Sequence, residues 1–121
     1  MANCPSETSE QISLVNHLNK ARICFCSVPN GGLRDKQTAR VMVAEGAKKG
    51  VPDLLIFDPP PLFPDFFATF LEMKVRDEMK AVTGPEQVRW HEKLHVRRWK
   101  GKVCYGSTMA IEYMRSLGYN V

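Results

Sequence analysis

The side chains best suited to chemistry are the pair Pro52-Asp53 and, 19 residues further on, the run Glu72-Met73-Lys74. In an extended strand residues i and i+2 project from the same face, so Glu72 and Lys74 point together. If the two segments form a hairpin turning about the middle of residues 58–67, Asp53 falls opposite Glu72. Directly opposed side chains of an antiparallel pair have Cβ atoms about 4.5–5.5 Å apart. Two carboxylates held so closely repel, raising the pKa of one, unless a cation lies between them. Mg²⁺ takes oxygen ligands at about 2.0–2.1 Å and often uses only one or two carboxylates, with waters and phosphate completing its shell. Asp53 and Glu72 meet that need, and the backbone carbonyl of Met73 adds a third oxygen. Lys74 beside such a metal would stabilise an attacking hydroxide or the charge developing on a phosphate. A bare Glu-x-Lys is ordinarily a surface pair on an edge strand. The preceding Pro-Asp and the apolar flanks Leu54-Leu55-Ile56 and Thr69-Phe70-Leu71 favour the chemical reading.

The elements that must position these groups follow from periodicity and punctuation. Residues 8–20 read as a helix capped by Thr8 or Ser9, with Ile12, Val15 and Leu18 recurring at helical spacing. Residues 22–28 are rich in Ile, Cys, Phe and Val and end at Pro29-Asn30-Gly31-Gly32, a strand followed by a turn. The spacing predicts a second helix over 35–49, capped by Asp35, buried through Ala39, Met42 and Val43, and stopped by Gly50. Residues 51–57 and 68–75 are the two strands of the hairpin. The intervening 58–67 holds four of the eight prolines and cannot be a helix or a central strand. Thr83 and Glu86 have capping-box spacing and Pro85 suits a first turn, so a third helix is expected from there to about residue 100, with Trp90 and Leu94 toward the sheet. A short strand over 102–105 and a helix from Ser107 to about 117, stopped by Gly118, complete the order. The result is one mixed α/β domain over residues 1–121, with a small central sheet of about four strands flanked by helices.

Composition narrows the function classes. A chain of 121 residues with 44% hydrophobic and 25% charged residues matches a globular domain, which excludes a disordered or fibrous protein. No apolar run approaches the 18 or more residues of a membrane span, and residues 1–7 carry neither the basic nor the apolar segment of a signal peptide. Cys4, Cys24, Cys26 and Cys104 then read as reduced thiols inside a cell. The net charge of +4 is localised: residues 75–102 hold eight basic and four acidic side chains. Such a patch is either a solvated helix face or the footprint of a polyanion, most often nucleic acid. Arg89, Lys93, Arg97 and Lys100 fall on one stripe of the third helix, able to track a phosphate backbone. Asn30, Gly31 and Gly32 form a turn through which backbone can approach a phosphate before a helix start, with Arg34 adding a charge-assisted contact.

Pro52-Asp53 with Glu72-Met73-Lys74 resembles the PD-(D/E)xK nuclease superfamily. The wider ordered string of Pro29-Asn30-Gly31-Gly32, Arg34, Lys48, Gly50-Val51-Pro52-Asp53, Glu72-Met73-Lys74 and Gln87 is similar to the VRR-NUC domain in its small stand-alone phage and bacterial form. The likeness runs from about Glu10 to Gly118, and residues 58–67 are its least family-like part. It implies a restriction-endonuclease-like fold and an Mg²⁺- or Mn²⁺-dependent endodeoxyribonuclease acting on branched DNA of the Holliday-junction type, as a homodimer, in repair or recombination. It implies no nucleotide cofactor and no membrane, and a place in the cytoplasm of a bacterial host, at the nucleoid when acting on DNA. Asp53 and Glu72 match the family's metal ligands, Lys74 its catalytic lysine and Gln87 its supporting glutamine. Glu10 fits the helix-borne acid of the superfamily, with Glu7 as its competitor. Lys48, at the expected end of the second helix, is assigned to DNA by the resemblance alone. A non-catalytic DNA-binding module and a sequence-specific restriction-type nuclease remain the alternatives on the same fold.

Overall fold

A computed structural model describes residues 5–29, 35–77 and 83–121. Its elements run α1 (Glu7–Lys20), β1 (Phe25–Ser27), α2 (Lys36–Ala44), β2 (Leu54–Ile56), β3 (Ala68–Lys74), α3 (Pro85–Val96), β4 (Trp99–Tyr105) and α4 (Ser107–Ser116), in the order the sequence predicts. The four strands form one sheet in the order β1-β2-β3-β4. The β1–β2 and β2–β3 pairs are antiparallel, and β3 and β4 run parallel across the α3 crossover. A parallel pair needs such a long connection, whereas the antiparallel hairpin closes through the proline-rich loop alone. The hairpin pairs Leu54 with Leu71, Leu55 with Phe70 and Ile56 with Thr69, the register expected from the loop's midpoint.

Strand alternation sends one set of side chains to each face. Leu54, Ile56, Leu71, Met73 and Cys104 pack with Leu14 and Leu18 of α1 and Ala110 and Met114 of α4 in the main core. Phe70 points to the opposite face, where its ring lies 4.8 Å from that of His91 and 5.2 Å from that of His95 on α3. Gly101, the β4 partner of Phe70, makes this possible: a Cβ there would lie 2.3 Å from the Phe70 ring. The helix that carries Gln87 is therefore seated on the sheet through an aromatic ring lying over a glycine.

Several element ends differ from expectation. α1 is capped by Ser6, which accepts the N–H of Ser9 at 3.0 Å, and it buries Glu10, Leu14 and Leu18 while Ile12 is 55% exposed. α2 stops at Ala44 rather than near residue 49. Gly46, at φ +108, donates to the Val43 carbonyl and Ala47 to that of Met42, the paired bonds of a Schellman ending. Asp35 does cap α2, but no residue of that helix is buried, and Val43 stands 66% exposed. α3 is capped at Gly84 rather than Thr83, and it ends at Val96 because Arg98 turns left-handed at φ +65, which lets β4 begin at Trp99. Lys100 is thus a strand residue, its ammonium over Phe63 and Phe66 at 4.1 and 4.4 Å, and it leaves the expected basic helix stripe.

Candidate active site

β2 begins at Leu54, and the register carried one residue back sets Asp53 against Glu72. At that point a side chain replaces the ladder: the N–H of Met73 donates to Asp53 Oδ2 at 2.7 Å. A strand residue turns its N–H and C=O to the same neighbour, so the Met73 carbonyl faces this edge as well. Glu72 is 1% exposed and Lys74 is half-buried two residues on, on the same face.

Gln87, in the first turn of α3, ties the group together. Its Oε1 accepts from the Gly84 N–H at 2.9 Å and from Lys74 Nζ at 3.3 Å, while its Nε2 donates to Glu72 Oε2 at 3.3 Å. The amide orientation follows from its partners, because a backbone N–H and an ammonium only donate and a carboxylate accepts. Gly50 fixes the approach of the preceding loop to this turn. At φ +86, a Cβ there would meet the Glu86 backbone carbon at 2.6 Å, so only glycine lets the chain pass so close to α3 on its way to Asp53.

The electrostatics are those of crowded acids. Burial, then the Glu72 carboxyl with which it shares a hydrogen bond, push Asp53 up to about 7 against the Met73 N–H and Lys74. Burial also raises Glu72, opposed by its bond to Asp53 and by Lys74. The pair thus holds a proton near neutral pH where isolated carboxyls would hold none. Glu72 Oε1 is buried with no hydrogen-bond partner, and so is His91 Nε2, 3.5 Å away. Burial, then Lys74, lower the pKa of His91, which favours its neutral form.

An orphaned carboxylate oxygen beside a second raised acid is a donor set that suits a hard divalent cation. Asp53, Glu72 and the Met73 carbonyl could hold Mg²⁺ or Mn²⁺ with waters filling the remaining positions. Among the described residues no group of three or more His, Cys, Asp and Glu converges as a closed metal cage.

Glu10 lies elsewhere, which corrects its placement among the metal ligands. Arg76 donates to both its oxygens, at 2.8 and 3.2 Å, and the Ser107 N–H donates to Oε2 at 3.1 Å, so Glu10 caps α4. Arg76 first, then the Ser107 N–H, hold its carboxyl below the usual range despite burial. Glu7, one turn earlier, is the α1 acid beside the pair. Burial, then Asp53, raise its pKa, and it in turn raises that of Glu72. His91 was missed because a histidine on a helix shows no relation to a strand glutamate until α3 is docked.

The residues expected to contact DNA divide into three groups. Asn30, Gly31, Gly32 and Arg34 lie outside the described residues. Lys48, Lys49, Arg89 and Lys93 line one cleft with Glu86 and Trp90, so Trp90 faces this cleft, not the sheet, whereas Leu94 is buried as expected. Arg97 is exposed at the end of α3 and donates to the Lys93 carbonyl at 2.9 Å.

Comparison with known proteins gives the fold a family likeness. No family model matches the sequence, and no curated protein matches it. A solved structure described as a VRR_NUC domain protein superposes with a TM-score of 0.76 at 17% identity, covering 97% of this chain and 91% of its own. A second, described as a VRR_NUC domain, gives a TM-score of 0.59 at 17% identity over 92% and 97% of the two chains. The α/β fold with its mixed four-stranded sheet is the fold of these two VRR_NUC structures.

Proposed function

We propose that the chain is a metal-dependent endonuclease that hydrolyses phosphodiester bonds in branched DNA of the Holliday-junction type. The observation that carries this reading is the opposition of Asp53 and Glu72 at the start of β2, with Lys74 on the same strand face and Gln87 holding both β3 side chains. Asp53, Glu72 and the Met73 carbonyl would hold Mg²⁺ or Mn²⁺. When bound, the cation would lower the pKa of a water and neutralise phosphate charge. Lys74 would exchange its bond with Gln87 for the phosphate oxygen on which charge develops. Lys48, Arg89, Lys93 and Arg97 would hold the flanking backbone, positioning the strand without reading bases.

Two cuts in a two-fold-symmetric junction call for two sites, and a homodimer supplies them. Ala39, Met42 and the exposed Val43 share one side of α2, a helix with nothing buried, and support an apolar face for a second copy. Such a protein would work in the cytoplasm of a bacterial host, where its DNA is.

The test is digestion of labelled four-way junction, flap and linear duplex in Mg²⁺, Mn²⁺ and EDTA. Junction cleavage that needs metal and disappears in Asp53→Ala and Lys74→Ala, with the far-UV circular dichroism unchanged, is the expected result. Preference for linear duplex at a defined sequence would favour a restriction-type enzyme. Salt-sensitive binding without any nicking would leave a DNA-binding module.

A further inference from the structure

We propose that the cleft between residues 48–49 and α3 is a subsite for one unpaired nucleotide of the DNA, its base stacked on Trp90 and its phosphates held by the surrounding lysines and arginine; this rests on the reading of DNA as the ligand. The cleft encloses about 300 Å³ and is lined by Lys48, Lys49, Glu86, Arg89, Trp90 and Lys93, four cations against one acid around an indole. Duplex backbone needs only the charges. An aromatic face at the centre of them suits a base that has left its stack, because a paired base is covered by its neighbours on both sides.

The indole is already used as a cation platform. Lys93 Nζ lies 5.0 Å from the Trp90 ring centre, so this ring face is within reach of a charged, mobile side chain. A base would take that face while the ammonium, on its flexible stem, moves to a phosphate. Glu86 lies 4.0 Å from the Arg89 guanidinium, so the acid faces a cation at one side of the cleft and leaves the three lysines to anionic oxygens.

The location suits a role in choosing substrate. Trp90 lies one turn along α3 from Gln87, which bonds Glu72, and the cleft's Lys48 and Lys49 precede Asp53 in the chain, so the cleft and the acid pair are built from the same helix and the same loop. A nucleotide in the cleft would sit on the strand that reaches Asp53 and Glu72. Only DNA with an unpaired or readily unstacked nucleotide beside the cut could fill it, which couples branch selectivity to a single aromatic side chain.

The experiment reads binding in EDTA, where no cleavage occurs. The chain has two tryptophans, so Trp99→Phe leaves Trp90 as the sole indole. Its emission should be quenched by a twelve-residue oligo-dT, and far less by a duplex of equal length at equal occupancy by fluorescence polarisation. Trp90→Ala should bind the oligo-dT about tenfold more weakly with duplex binding unchanged within twofold, and Trp90→Phe should recover most of the loss. Unquenched emission at saturating oligo-dT overturns the subsite, as does a Trp90→Ala that weakens single strand and duplex alike. A wild-type protein that quenches normally yet never cleaves would sink the nuclease reading and leave this one standing.

Discussion

The Met73 N–H donates to the Asp53 carboxylate at 2.7 Å, one residue beyond the last ladder pair of β2 and β3. The site begins where the hairpin stops: the next residue back is Pro52, which lacks an N–H to continue the pairing, and the freed strand edge is answered by a side chain. One Asp53 oxygen is fixed by backbone, and the carboxyl is left facing Glu72. The same geometry that would suit a cation leaves two crowded acids electrostatically uncomfortable without one.

That discomfort predicts a pH-dependent stability. With Asp53 at about 7 in the fold against 3.8 when unfolded, the native state binds more protons between these values, and stability falls as pH rises through 7. His91 works in the opposite direction, but its lowered pKa confines it to pH values near and below 6.5. In EDTA the Tm of the wild type should therefore drop by several degrees between pH 6.5 and 8. Asp53→Asn, which copies the protonated acid and keeps an acceptor for Met73, should lose less and be the more stable protein at pH 8. Mg²⁺ at pH 8 should raise the wild-type Tm and leave the variant unmoved. Parallel curves for the two proteins would remove the coupled pair.

Gln87 offers a test of the amide orientation. Its Nε2 faces Glu72 and its Oε1 faces Lys74 and Gly84. Gln87→Ala deletes these links and should lower cleavage about 10–100-fold, the usual cost of losing a supporting contact. Gln87→Glu places a third carboxylate 3.3 Å from Glu72 and should cleave less than the alanine variant while still capping α3. The reverse order under single-turnover conditions would mean that Gln87 does not touch Glu72.

How much of this was legible depended on whether the signal was local. The hairpin register was, because the loop's midpoint decides it, and Asp53 with Glu72 followed. The α1 register was not: Ile12 reads as core and Glu10 as the acid of the metal site, yet the helix turns Glu10, Leu14 and Leu18 inward because α4 offers Ser107 and Arg76 lies within reach. Helix ends were readable where glycine marks them, as at Gly118, although Gly46 stops α2 before Gly50 can. At Arg98 an arginine takes the left-handed position, so α3 ends with no sequence signal and Lys100 passes to the sheet. Trp90 looks like core in any helical wheel. Only the turn after α2, with Lys48 and Lys49, reveals that it lines a basic cleft.

The two acids of α1 should separate stability from activity. Glu10→Ala removes the carboxylate that Arg76 and the Ser107 N–H share, at a cost of about 1–3 kcal/mol. Its cleavage rate at 25 °C should match wild type once the folded fraction is accounted for. Glu7→Gln should leave the Tm within about a degree and weaken metal-dependent cleavage severalfold, since Glu7 adds negative potential at Asp53 and Glu72. Urea titration alongside metal titration of both variants decides it, and an inactive, stable Glu10→Ala would return Glu10 to the site.

α2 carries the remaining prediction. It has nine residues, none buried, with Val41 52% and Val43 66% exposed. A helix this short is marginal in water without tertiary packing, and its Asp35 cap contributes only about 1 kcal/mol. Packing against a second copy would supply the missing apolar burial and hold two sites at a fixed spacing. Light scattering at micromolar concentration should give a dimer for the wild type and a monomer for Val43→Asp. The variant should retain metal affinity, because no α2 residue belongs to the acid pair. On a four-way junction it should cut the two strands in separate events, so that nicked junction accumulates where the wild type releases paired products. A wild-type monomer that nevertheless makes paired cuts would overturn the dimer.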